Sequence, residues 1–277
     1  MIKFFRKIRY DLIEKNPTSA KASAGAKTGK YFKYAIGEII LVVVGILIAL
    51  QVNNWNIDRI NKNRVKQYAI LLIKDISNDI DMIQVSQFQA IKNFKKIDSL
   101  KSYILATPPE NLSNTDLFVL THDIMYRPYK WNRSTLNEMK NSEILQYFKN
   151  DSLKQKLIAY ETFSYHLDED FNQDMTNAQK AEGLITEILD LNNSYFHEML
   201  ALENERFNDP DLDLFETEIY QNAKKKDRSL AIDNQKELRK FTNAFILIQD
   251  SYRIRGFREM EEIKKNAKEI TQLLKNE

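Results

Sequence analysis

Tyr34-Ala-Ile-Gly-Glu-Ile-Ile-Leu-Val-Val-Val-Gly-Ile-Leu-Ile-Ala-Leu-Gln-Val-Asn-Asn54 decides how the rest of the chain is read. Between Lys33 and Asp58 the only charged residue is Glu38, and Ile39 to Leu50 carry no polar side chain. A helix of about 20 apolar residues crosses a hydrocarbon core roughly 30 Å thick. A helix over 34–54 has that length, with Gln51, Asn53 and Asn54 at the far interface. A core helix of a soluble protein would show an amphipathic face, which this run lacks. The stretch predicts one transmembrane helix, a short flank before it and a much longer region after it.

Charge sets the expected orientation. Residues 1–34 hold nine Lys or Arg and two acids, a net charge of +7; the whole chain is +2, so residues 35–277 sum to −5. Lys and Arg resist translocation, which keeps the basic flank in the cytoplasm and sends the C-terminal region to the other side. Arg59, Lys62, Arg64 and Lys66 oppose this weakly. Tyr31, Phe32 and Tyr34 at one end and Trp55 at the other suit the two interfaces. A cleaved signal peptide shares the basic flank and apolar centre. Here the flank is long, and Ala49-Leu-Gln-Val-Asn-Asn-Trp-Asn56 offers no small-x-small cleavage site, so a retained anchor is expected.

Within the flank, Ile2, Phe5, Ile8 and Leu12 recur at helical spacing among Lys3, Arg6, Lys7 and Arg9. Residues 1–16 are therefore a basic amphipathic segment, and those four cations are candidate contacts with an anionic lipid surface. A solvated basic tail is the alternative. Residues 17–33 are small, polar and low in complexity, and read as a flexible linker. The expected organisation is segment 1–16, linker 17–33, span 34–54 and an extracytoplasmic helical domain over 55–277.

Three long stretches after the span alternate apolar residues at intervals of three and four. Ile73, Ile76, Ile80, Ile83, Gln87, Ala90, Phe94, Ile97, Lys101 and Ile104 form the first. The second runs from Leu157 through Tyr160, Ser164, Leu167, Phe171, Asp174, Ala178, Ala181, Ile185 and Ile188 to Leu202. Leu238, Phe241, Phe245, Ile248, Tyr252, Met260, Ile263, Ala267, Ile270 and Leu274 form the third, with a slip of phase near Gly256. Strands would alternate every second residue, so these are long helices packed at shallow angles. The fold class is mainly α: an N-terminal transmembrane helix followed by an antiparallel bundle of long helices, with intermolecular coiled coil as the rival. Pro108 and Pro109 end the first long helix. Ser113 opens a short helical pattern through Met125, Thr135-x-x-Glu138 has the form of a capping box, 142–150 is a further short helix, and Asp151 suits the N-cap of the second long helix.

Sites are scarce. The chain has no Cys, hence no disulfide, thiolate nucleophile or Cys-ligated metal. His166 and Asp170 share one helical face, yet no second His stands at helical spacing, and the expectation is a wet acidic face with no metal. Asp209-Pro-Asp-Leu-Asp213 starts like a calcium loop but has Leu214 where Gly is needed and Tyr220 where a bidentate Glu is needed. Lys224-Lys-Lys-Asp-Arg228 is too short a basic run for nucleic acid. No catalytic constellation and no cofactor motif is found. Glu38 lies about one turn inside the span, where it suits an interfacial ion pair or a contact with another helix. Gly45 and Ala49 form a small-xxx-small pair that admits a neighbouring backbone. Glu38, Gly45 and Ala49 are the candidate transmembrane contact.

The opening Met1-Ile-Lys-Phe-Phe-Arg-Lys-Ile-Arg9 and the stretch Gly29 to Asn56, with Gly37-Glu38 and Leu50-Gln-Val-Asn-Asn-Trp55 as hallmarks, resemble a family of uncharacterised single-pass membrane proteins of Gram-negative bacteria. Leu136 to Asn150 and Leu153 to Tyr160 carry a weaker likeness. The insertion around 17–27 is longer than that family's pattern. The resemblance implies an inner-membrane protein with a periplasmic helical domain, and brings no activity or site residues with it.

The expected function is non-enzymatic: a membrane-anchored interaction or scaffold module of the bacterial envelope. Its partners would be the lipid bilayer and a protein partner or second copy, with no nucleic acid and no cofactor. The alternative is a periplasmic ligand-sensing bundle. With no second span after the bundle, a sensor would signal through a partner membrane protein.

Overall fold

The computed structural model describes residues 24–122, 124, 126–191 and 212–277, with side chains from residue 35 onward. The chain divides into two units, Met1–Lys62 and Asn63–Glu277. Among the described residues there is no strand. The long helices are α1 (Ala24–Ala106), α4 (Asp151–Ile188), α6 (Gln235–Ile254) and α7 (Met260–Leu274). Shorter ones are α2 (Asn114–Thr121), α3 (Ser134–Asn141) and α5 (Glu218–Lys225), with single 3-10 turns at Pro109–Asn111, Ile144–Tyr147 and Leu214–Glu216.

In the first unit, α1 already includes Ala24 to Lys33, which composition reads as linker. Ala and Lys are good helix formers, so a small, polar composition does not by itself break a helix. From Ile36 to Ile57 every large apolar side chain is exposed. This part of α1 is long and apolar enough to cross a membrane, judged by length and composition.

In the second unit the apolar seams meet. Ile83, Ile97, Leu157, Leu167, Phe241, Ile263 and Ile270 are all buried. Two clusters make up the core. One joins Val65 to Ile83 of α1 with Leu153 to Leu167 of α4 and Met260 to Leu274 of α7. The other joins Ala90 to Leu100 of α1 with Ala181 to Leu189 and with Leu238 to Tyr252 of α6. This order fixes the directions: α6 and α7 run antiparallel to α1, and α4 runs parallel to it. Residues 107–150 bring the chain back, placing Leu117 and Phe118 in one cluster and Leu136, Met139 and Phe148 in the other.

Helix starts follow local chemistry. Side chains of Ser113, Asn150, Thr217 and Asn234 each accept a hydrogen bond from the amide three residues on, satisfying a donor that the helix cannot. The N-cap of α4 is thus Asn150 and not Asp151, which is its first helical residue. The expected capping box at Thr135 does not form: α3 starts at Ser134 with no side-chain cap, and the Glu138 carboxylate accepts instead from the Tyr68 hydroxyl at 2.7 Å. The helical pattern from Ser113 stops at Thr121, and the one expected over 142–150 is a single 3-10 turn. The second seam beyond Leu191 lies outside the described residues.

Candidate functional site

The side chains that interrupt the apolar seams are brought together. Gln87 stands between Ile83 and Ala90 in α1, Asp174 between Leu167 and Ala181 in α4, and Arg255 between Tyr252 and Met260. They form a polar layer where the two apolar clusters meet. The slip of phase at Gly256 is part of it: Arg255–Glu259 is one π turn, in which the Met260 amide donates to the Arg255 carbonyl. A π turn adds one residue to the helix without breaking it, which turns Arg255 and Glu259 inward and resets the seam for α7. The turn leaves backbone carbonyls short of partners, and Gln87 Nε2 donates to that of Gly256 at 3.0 Å. At Gly256 α1 packs close: a Cβ there would sit 3.0 Å from Ile91 Cγ1 and 3.3 Å from the Ile91 amide.

Arg255 is held by three acids. Its Nε donates to Asp174 Oδ2 at 3.1 Å, and Nη1 reaches Asp170 Oδ2 at 3.1 Å and Glu259 Oε2. Desolvation is the largest influence on the guanidinium and opposes its charge. Asp174, Glu259 and Asp170 outweigh it, and the pKa lies above the ordinary arginine value. Burial likewise dominates at Asp174 and raises its pKa against the pull of Ser251 and Arg255. Asp174 is only 3% exposed, so its charge is tolerated by pairing. Beside it, burial pushes up the phenols of Tyr126 and Tyr129. Tyr126 stacks on Tyr252 at 4.4 Å and donates to the Ile248 carbonyl at 3.2 Å.

At the rim, His166 of α4 places Nε2 3.1 Å from Asp170 Oδ2 and 3.8 Å from Glu259 Oε1. The three ligating atoms of His166, Asp170 and Glu259 lie within 4.8 Å of one another. The sequence paired His166 with Asp170 but did not reach Glu259, which comes from the far end of the chain. The signals that could have found it were the polar exceptions Gln87 and Asp174 and the slip at Gly256, taken as one layer.

A second buried acid, Asp79, was also missed, because a charged residue beside an apolar seam reads as surface. Its carboxylate accepts from Asn132 N and Nδ2, each at 2.8 Å, and from the Tyr160 hydroxyl at 2.9 Å. This network fixes the returning segment against α1 and α4. Arg133 extends it, donating to Ser164 Oγ and Asp168 Oδ2, both at 2.8 Å.

Of the residues expected to contact membrane partners, Lys3, Arg6, Lys7 and Arg9 lie outside the described residues. Glu38 and Ala49 are exposed on α1, and nothing lies within 4 Å of where a Cβ on Gly45 would stand. At 3.6 residues per turn the three share one stripe of the helix.

Residues 38–109 match a family of unknown function (DUF6090). The match covers most of α1, from Glu38 in the apolar run to the prolines that end the helix, and leaves α2 to α7 outside it. No curated protein and no solved structure matches the chain.

Proposed function

We propose that this chain is a membrane-anchored interaction or scaffold protein of the Gram-negative envelope. Residues 34–54 would cross the inner membrane, residues 1–33 would face the cytoplasm, and the bundle would stand in the periplasm. One contrast supports the anchor: large apolar side chains are exposed throughout 36–57, whereas in the bundle they close into two clusters. Water would penalise so much exposed apolar surface, and a bilayer removes the penalty. The +7 charge of residues 1–34 supports the orientation. The reading is non-enzymatic.

The test is a reporter enzyme that is active only in the periplasm, fused after Glu277. Periplasmic activity is expected, together with retention of the full chain in membranes after alkaline carbonate washing. An inactive reporter paired with an active cytoplasmic one would reject the orientation, and release by carbonate would reject the anchor.

A second reading, a ligand-sensing bundle that signals through a partner membrane protein, is favoured by one observation. A layer of ionisable groups inside a helical bundle is costly for stability alone, and such a layer can respond to a bound charge. Glu38, Gly45 and Ala49 would then be the contact with the partner.

A further inference from the structure

The geometry points to a divalent transition-metal site formed by His166 Nε2, Asp170 and Glu259 Oε1, with Arg255 as the group that orients both carboxylates. The inference does not depend on membrane topology. It starts from atoms and their spacing. Around a four-coordinate ion with N and O ligands at about 2.0–2.2 Å, neighbouring ligand atoms are about 3.4 Å apart. The distances from His166 Nε2, 3.1 Å to Asp170 Oδ2 and 3.8 Å to Glu259 Oε1, bracket that value. At 3.8 Å His166 and Glu259 make no hydrogen bond, so the pair faces across a gap that an ion would bridge.

The oxygens are divided on Glu259, whereas on Asp170 one oxygen, Oδ2, faces both His166 and Arg255. Glu259 gives Oε2 to Arg255 and turns Oε1 toward His166. Asp170 is held by Arg255 at 3.1 Å, so both carboxylates are fixed by a neighbour that is not itself a ligand. The His166 ring is set by the Phe163 ring, whose centroid is 5.8 Å away at an interplanar angle of 28°. Three protein ligands leave a fourth position open to solvent, since His166 lies on the exposed side of α4.

Charge favours the same conclusion. Asp170, Asp174 and Glu259 carry three negative charges against the single positive charge of Arg255. A divalent cation would offset this excess of carboxylates over guanidinium. An imidazole with two carboxylates suits Zn²⁺, Mn²⁺ or Fe²⁺ better than Mg²⁺ or Ca²⁺, which prefer oxygen alone.

The experiment is equilibrium dialysis of the purified full chain in detergent against Zn²⁺ alone, with bound metal measured by elemental analysis. One Zn²⁺ per chain is expected. Loss of even an outer partner of a metal site costs about 10–100-fold in affinity; His166→Ala and Glu259→Gln should each weaken binding by at least that range. Asp250→Asn, an exposed acid that pairs with Arg253, should bind as wild type. Wild-type protein gives a reading free of folding effects: saturating Zn²⁺ should protect His166 from carbethoxylation, scored by peptide mass. Absence of stoichiometric Zn²⁺ would overturn the site. So would equal His166 labelling with and without the metal, or unchanged binding by both ligand variants.

Discussion

Adding a single methyl at Gly256 tests whether the π turn is packed against α1 as described. Two opposing effects set the size of the change. Replacing Gly by Ala inside a helix ordinarily stabilises by about 1 kcal/mol, because Gly loses more backbone freedom on folding. Against this, the new Cβ would stand 3.0 Å from Ile91 Cγ1, 3.3 Å from Ala90 Cβ and 3.3 Å from the Ile91 amide. Ile91 can turn its side chain, but its amide belongs to the rigid backbone of α1. Overpacking of this kind costs about 1–3 kcal/mol. The expected net effect of Gly256→Ala is destabilisation by roughly 0–2 kcal/mol, the difference of these two ranges. Gly256→Val adds two further methyls to the same gap and should cost more than about 3 kcal/mol. It should also strain the Gln87 bond to the Gly256 carbonyl. The assay is urea unfolding of the full chain in detergent, followed by far-ultraviolet circular dichroism. A stabilisation of Gly256→Ala by the whole helix-propensity gain, with Gly256→Val no worse than Ala, would refute the close approach and the π turn with it.

Asp227 offers a pH test. Burial is its largest influence and raises the pKa, but bonds from Ser113 and Thr115 and the charge of Lys224 outweigh it, and the carboxyl lies below its ordinary 3.8. A depressed folded-state pKa gives stability that is full above the unfolded value and lost as pH falls through the folded one. Asp227→Asn should therefore cost about 1–3 kcal/mol near neutrality, and its deficit relative to wild type should shrink below pH 3.8; a constant deficit from pH 7 to pH 2.5 would contradict this. For the proposed membrane span, crosslinking of the intact protein in membranes should fall with Glu38→Gln by an amount equivalent to about 1 kcal/mol, and further with Gly45→Leu, while Val43→Leu behaves as wild type. If all three crosslink alike, the helix is only a tether.

The sequence determined what depends on neighbours along the chain. The uncharged run from Ile39 to Leu50 marked an apolar helix because hydropathy and length are local quantities. The alternation at intervals of three and four placed Ile83, Ile97, Leu157, Phe241 and Ile263 in the core, since any helix with that stripe must bury it. Even the slip at Gly256 was visible, although its form as a π turn was not, because one inserted residue is compatible with several backbone paths. Tertiary structure alone decided the rest. The direction of α4, parallel to α1, depends on how residues 107–150 return, and no periodicity encodes a path through space. Asp79 could not be placed inside until Asn132 and Tyr160 arrived to bond it. His166, Asp170, Asp174, Arg255 and Glu259 meet only because α4 and the π turn share a layer. A buried charge is stable there through partners remote in the chain, so the polar centre of the bundle is a property of the packing and not of any segment.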